Sequence, residues 1–275
     1  MARCMFLFIY RRYYGKIWTM NILITNDDGI NERGIQELVK ALHERAGASI
    51  YVCAPDGQRS AMSHSITMRE TICVEETEME GAEMAFVTTG TPADCVVVGL
   101  HLFRERGIHI DLLFAGINHG SNIGTDTVYS GTVGAATEGS IHGIPSAAVS
   151  VDKHHASHFE YACDLAVDTI KKTGGTWDSR ITININTPNL PKEEIKGVKY
   201  TVAGRREYVD DIKFKGNDGD RLIYRYGGEA VVYDGLPDTI DVIAMQDGYA
   251  SISPLKVDMT AHEAMEELKE WRIGK

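Results

Sequence analysis

The segment MNILITNDDG (residues 20–29) decides how this chain is read. Asn21 to Thr25 is a short apolar run, and it gives way at once to Asn26-Asp27-Asp28-Gly29. An apolar run without polar alternation suits a strand buried on both faces, the condition of strands in a parallel sheet covered by helices. The polar tetrad then falls at the carboxyl end of that strand, where open α/β sheets bind their ligands.

Outward from this segment the pattern repeats. Ile35, Leu38, Val39 and Leu42 fall at helical spacing, and residues 50–54 (IYVCA) form a second strand-like run. Residues 84–88, 111–115, 146–151 and 180–186 read as further strands, and 132–142 and 160–172 as helices. Thr91-Pro92-Ala93-Asp94 is a helix start: Thr caps, Pro suits the first turn, and Asp94 sits near the positive helix end. The alternation predicts an α/β fold, a mostly parallel sheet flanked by helices, over residues 20–188. Past Pro188 the rhythm changes. Residues 198–202, 221–226 and 239–245 read as strands between Gly-rich turns, and 261–271 as a terminal helix. Residues 189–275 are therefore expected to form a smaller C-terminal β-rich extension with a terminal helix.

Residues 1–19 do not match the rest. They carry Arg3, Arg11, Arg12 and Lys16 and no acid, and their apolar run is too short to cross a bilayer. With most basic residues after the apolar run and no small-residue cleavage site, a signal peptide is not indicated. Met20 reads as the natural start and 1–19 as a non-native or disordered extension, with a membrane-surface anchor as the alternative. The whole chain has 28 basic and 39 acidic residues, a balance that argues against non-specific nucleic-acid binding. Five scattered cysteines without a CxxC pair suit reduced thiols, and no segment approaches a membrane span, so a cytoplasmic protein is expected.

Three loops carry candidate chemistry. Asp27 and Asp28 repel one another unless a cation lies nearby, and carboxylate and amide oxygens select hard cations such as Mg²⁺ or Mn²⁺. A turn with a capping Asp is the other reading. In Ala54-Pro55-Asp56-Gly57-Gln58-Arg59-Ser60-Ala61, Ser60 offers a hydroxyl and Arg59 a cation, or the loop is simply a polar surface. The neighbouring Ser63-His64-Ser65 is equally open. The third loop, Gly116-Ile117-Asn118-His119-Gly120-Ser121-Asn122-Ile123-Gly124, is dense in amides and hydroxyls, and Tyr129-Ser130-Gly131-Thr132 then opens a helix. Backbone N–H groups there, beside Ser and Thr hydroxyls, make a phosphate seat that needs no Lys; ordinary capping is the alternative. Neither GxGxxG nor GxxxxGK[ST] is present, which counts against a dinucleotide-dependent oxidoreductase. The DxDx[TV] run of aspartate-nucleophile phosphatases is missing as well.

MNILITNDDGI, APDGQRSAMSHSIT, GTPADCV, AGINHGSNIGTDTVYSGTVGAATEG and GYASISPLKVDMTAH, in that order from Met20 to about His262, resemble the SurE family of stationary-phase survival phosphatases and 5′-nucleotidases. The resemblance implies a Rossmann-like core with a β-rich extension, and assembly into a homodimer or homotetramer by exchange of C-terminal elements. It implies hydrolysis of nucleoside 5′-monophosphates, and of 3′-monophosphates in some members, with one divalent cation per subunit, Mg²⁺ or Mn²⁺. Carried over residue by residue, the metal ligands are Asp27, Asp28, Ser60 and Asn118. Phosphate contacts fall on Asn122, Ser130, Gly131 and Thr132, and the catalytic roles on Asp28 and Asn118, with Asp28 orienting the attacking water. Ala115 stands where many members have Ser, which removes a hydroxyl but no ligand, and residues 1–19 have no counterpart. A metal-dependent phosphomonoesterase with a nucleoside monophosphate substrate, and with neither nucleic acid nor membrane as partner, is thus the expectation. The alternative is a non-catalytic nucleotide- or metal-binding module on the same fold.

Overall fold

A computed structural model describes residues 19–209 and 212–274; the reading of 1–19 as an extension lies, but for Thr19, outside the described residues. Strand β1 (Asn21–Thr25) sits near the middle of a nine-stranded sheet. Its neighbours are β2 (Ser49–Pro55) and β5 (Leu112–His119), both parallel to it. Beyond β2 lie β4 (Met84–Thr88), parallel, and the antiparallel edge strand β3 (Val74–Thr77). Beyond β5 lie β6 (Ser146–Val151) and β7 (Ile181–Thr187), again parallel. The six parallel strands thus take the doubly wound order β4-β2-β1-β5-β6-β7, and the chain reverses its direction of travel between β1 and β5.

Helices cover both faces. The helix α1 (Arg33–Ala46) and, further along, α4 (Glu160–Thr173) pack on one side, with Ile35, Leu38 and Leu42 against Ile22, Ile24 and Phe114. The other side is covered by α2 (Pro92–Glu105) and α3 (Gly131–Ile141), which enclose Leu23, Cys53, Phe103, Leu113 and Ala115. Residues 22–24 are wholly buried because alternate side chains enter different cores, which explains the unbroken apolar run. At α2 the cap is reciprocal: Asp94 N–H donates to Thr91 Oγ1 at 3.1 Å and Thr91 N–H to Asp94 Oδ2 at 2.8 Å. Opposite the ligand rim, α1 ends at Gly47, and Gly107 and Gly143 follow α2 and α3; all three are left-handed.

Past residue 188 the main sheet continues. Strand β13 (Ala250–Lys256) pairs antiparallel with β7, and β8 (Val198–Tyr200) pairs with β13 as the last strand. The rest of the extension holds the short pair β9 (Tyr208–Val209) and β12 (Glu229–Ala230), and the hairpin β10 (Ile212–Asp218) and β11 (Arg221–Tyr226). Three sequence readings change. Residues 239–245 are not a strand: Asp241–Gln246 is helix α5, a short buried apolar segment of the kind that periodicity cannot assign. Residues 116–119 are not loop but the end of β5, which shifts register against β6 between Ala115 and Asn118. The terminal helix is shorter than 261–271, a 3₁₀ turn followed by α6 (Met265–Glu270). Among the described residues no helix is long and apolar enough to cross a membrane.

Candidate active site

Asp27 and Asp28 leave β1 at the point where the winding reverses. Their turn is held by Asn26, whose Nδ2 donates to Gly29 O at 2.8 Å and whose Oδ1 accepts from Gly29 N–H at 3.2 Å. Gly29 has φ +119°, and a Cβ there would lie 3.1 Å from Gly57 Cα, so both the backbone conformation and the close approach of the β2 loop require glycine. The two carboxylates then diverge. Asp27 accepts from the hydroxyl of Thr132 and, at 3.2 Å, from its N–H, so it sits on the first turn of α3. Asp28 accepts from His119 N–H at 2.9 Å, across the switch point on β5.

Both carboxylates are buried, and burial is the main force on their ionisation. It pushes Asp27 up to about 6, helped by the charge of Asp28 and opposed by the Thr132 bonds. Burial likewise takes Asp28 up to about 6, against the His119 N–H and with the charge of Glu32. Two adjacent desolvated acids, with no cationic side chain bonded to them among the described residues, carry a repulsion that a positive ion relieves.

The remaining candidates come from other strands. Asn118, at the end of β5, donates from Nδ2 to Gly120 O at 2.6 Å, which leaves its Oδ1 for another partner. Ser60 is exposed on the loop after β2. Ser130 caps α3 by accepting from Val133 N–H at 3.0 Å, and its own hydroxyl hydrogen stays free to turn outward. Asp27, Ser60, Asn118, Asn122 and Ser130 line one cavity of about 1050 Å³. Asp28, Gly131 and Thr132 stand behind that lining. Gly131 packs so closely on Asp27 that a Cβ would come within 3.0 Å of Asp27 Cβ and Oδ2. Asn122 is largely enclosed: its Nδ2 donates to Ser150 Oγ at 2.9 Å and its N–H to Asn186 Oδ1 at 2.7 Å. Asn184 and Asn186 both return a bond to Asn122 O, so a buried polar cluster beneath the loop fixes its path.

The outer wall of the cavity was not read from the sequence. It comes from the extension, through Arg205, Arg206, Glu207, Tyr208, Tyr226 and Val231. Arg206 Nη1 donates to Ser121 Oγ at 3.1 Å and pairs with Asp126 at 3.2 Å, and Tyr208 donates its hydroxyl to the same carboxylate. Behind them, buried Asp241 accepts from Gly124 N–H at 2.7 Å and Gly204 N–H at 2.9 Å, joining the site loop to the extension. The only trace in the sequence was the doublet Arg205-Arg206, which has no periodicity to mark it.

Among the described residues no three His, Cys, Asp or Glu side chains are arranged to hold a metal. The candidate set has two carboxylates completed by a hydroxyl and an amide, an all-oxygen donor set that matches a hard divalent cation. Desolvated acids that lack a counter-charge fit such an ion.

Fold and site together define a doubly wound α/β protein whose ligand site lies at its topological switch point. A family model described as Survival protein SurE matches residues 22–210. The 5′-nucleotidase SurE of Petrotoga mobilis is 37% identical over 253 residues, covering 92% of this chain and 99% of the relative. The 5′/3′-nucleotidase SurE of Proteus mirabilis is 40% identical over 254 residues, covering 92% and 96%. The crystal structure of the SurE protein from Aquifex aeolicus superposes with a TM-score of 0.79 at 34% identity, over 92% of this chain and 99% of that one. The chain belongs to the SurE family.

Proposed function

We propose that this protein is a divalent-metal-dependent phosphomonoesterase that hydrolyses nucleoside 5′-monophosphates, and 3′-monophosphates as well, to nucleoside and phosphate. The observation that carries the reading is the meeting of Asp27, Ser60, Asn118, Asn122 and Ser130, from separate loops, in one cavity at the strand ends. Relatives named 5′-nucleotidase and 5′/3′-nucleotidase support it.

In this reading Asp27, Asp28, Ser60 Oγ and Asn118 Oδ1 hold one Mg²⁺ or Mn²⁺ per subunit. A bound cation supplies positive charge for the phosphoryl oxygens and acidity for a water molecule. Asp28, tethered by His119 N–H, keeps one oxygen to orient the attacking water. Thr132 fixes Asp27 through two bonds, so its part is played through that carboxylate. Ser130, on the cavity lining, meets the phosphoryl group at the positive end of α3, with the first-turn amide of Gly131 behind it. Asn122 stays a phosphate contact in this reading, and the wall of Arg206 and Tyr208 bounds the nucleoside side.

The extension supports assembly. Ile212, Phe214, Leu222, Tyr224 and Tyr226 along the β10–β11 hairpin are all more than half exposed in the protomer, an apolar surface of the kind that marks a contact between chains. A homodimer or homotetramer built through residues 189–275 covers it. A cytoplasmic site of action is part of this reading, in line with five scattered cysteines that form no CxxC pair.

The test is phosphate release from AMP with Mn²⁺, with EDTA, and by Asp28→Asn. Release that needs the metal, with a loss of at least about 100-fold in Asp28→Asn, is expected (~2.7 kcal/mol of barrier). Tight AMP binding without release, in the presence of either metal, would identify a binding module instead.

A further inference from the structure

The loop that carries Ser60 runs from residue 56 to 73 without secondary structure of its own, long enough to need an explanation. Asp56 N–H anchors its start on Thr88 O at 2.8 Å, and Arg59 N–H then donates to Asp27 O at 2.6 Å. Ser60 and Ala61 then line the cavity, and Ser60, Ala61 and Met62 are all exposed. Ala61 and Ser63 adopt left-handed backbone conformations, φ 56° and 55°, which non-glycine residues hold only when their surroundings impose them.

Those surroundings are the start and the first two turns of α3. Ser63 N–H donates to Tyr129 O at 3.0 Å, and Ser63 Oγ to Val128 O at 2.6 Å. The loop lies so flat on the helix that a Cβ at Gly134 would meet Ser63 O at 2.6 Å and His64 Cα at 3.0 Å. The side-chain clamp comes next: His64 Nε2 donates to Glu138 Oε2 at 2.6 Å. Glu138 is nearly buried, is braced from its other oxygen by His142 Nε2 at 3.1 Å, and is held below the ordinary carboxylate range chiefly by the His64 bond.

We propose that the His64–Glu138 clamp positions Ser60: it presses the loop onto α3, so that the Ser60 hydroxyl is held over the same helix start that carries Ser130 and binds the Asp27 carboxylate through Thr132. His64 is a positioning residue and touches no substrate. The inference rests on the reading of Ser60 as a metal ligand, and goes beyond it by assigning to a second residue pair the geometry of that ligand. Partners that orient a ligand in this way typically change metal affinity 10- to 100-fold when removed.

The experiment measures Mn²⁺ binding by electron paramagnetic resonance of the free ion, beside kcat, KM and thermal melts, for Ser60→Ala, His64→Ala, His64→Gln, Glu138→Ala and the His64→Ala/Glu138→Ala pair. His64→Ala and Glu138→Ala are each expected to weaken Mn²⁺ binding about tenfold and to lower kcat at saturating Mn²⁺, with KM for AMP changed less than threefold. The pair is expected to be no worse than either single variant, because both break the same bond. His64→Gln, which keeps an amide donor for Glu138, is expected to recover part of the loss. Mn²⁺ binding within twofold of wild type in both clamp variants, with Ser60→Ala weakened, would overturn the clamp and leave the ligand reading standing. Unchanged binding in Ser60→Ala would overturn the ligand reading and the clamp with it. A fall in melting temperature with metal affinity unchanged would mark the pair as a fold contact and also overturn the proposal.

Discussion

Asp27 and Asp28 combine two properties that seldom coexist in a folded chain: adjacent negative groups and near-complete burial. Their ionisation gives a prediction with a definite sign. Both carboxyls are raised from 3.8 to about 6 in the native state. Below about pH 3.8 they are protonated in both states and their contribution to stability is fully present; it is lost as pH rises through 6, when they ionise while buried. In EDTA these two groups should therefore lower the melting temperature as pH climbs from 4 to 7. Mn²⁺ should oppose that loss, so the melting-temperature gain it gives should be larger at pH 7.5 than at pH 5, where protons compete for the same oxygens. Calorimetric melts with and without Mn²⁺ check it; an equal gain at both pH values would show that these carboxylates do not hold the ion. At this scale the sequence was informative where chemistry is written into residue type at a strand end, as in Asn26 to Gly29. It was silent on Arg206, Tyr208 and Asp241, ordinary polar residues brought to the site only by tertiary contact.

Elements announced themselves when their own local rules were complete. The Thr91–Asp94 box fixed the start of α2, and the periodic apolar stripe fixed α1. The helix at 241–246 and the strand character of 116–119 depended on neighbours far along the chain, and local pattern had no purchase on them. Packing between elements is where the site acquires its precision. Gly34, in the first turn of α1, lies against β5 so tightly that a Cβ would come 2.0 Å from Ile117 O. Gly34→Ala is thus expected to force α1 and β5 apart and cost about 1–3 kcal/mol of stability. Because Asn118 follows Ile117 directly, the same change should reduce phosphate release from AMP more than chemical denaturation alone explains under conditions where the variant remains folded. Wild-type denaturation and activity in Gly34→Ala would mean the backbone yields there without consequence.

In the whole molecule, the doubly wound half was foreseeable from the alternation of runs, and so were the β-rich character and the terminal helix of the second half, but not how its strands pair. The β13–β8 edge and the hairpin arise from pairings between segments that read alike in isolation. The hairpin carries the whole-molecule prediction. Phe214→Ser with Leu222→Ser replaces two exposed apolar side chains, so protomer secondary structure should be unchanged. Sedimentation velocity should then show a shift from the assembled mass toward that of one protomer, with far-UV circular dichroism as the control. An assembled mass equal to wild type would locate the contact elsewhere.

The left-handed glycines at 47, 107 and 143, each with nothing within 4 Å of where a Cβ would stand, close turns on the rim away from the chemistry. Helix-to-strand connections on that rim lie at the opposite ends of the strands from the ligand loops, and from the extension the end of β13 reaches them, where Lys256 pairs with Ile181. A lineage carrying this fold is therefore free to lengthen, shorten or decorate those turns while the other rim stays under selection. Divergence between descendants should accumulate as insertions and deletions on one side of the sheet and as near-identity on the other, with the sheet itself as the boundary between the two evolutionary rates.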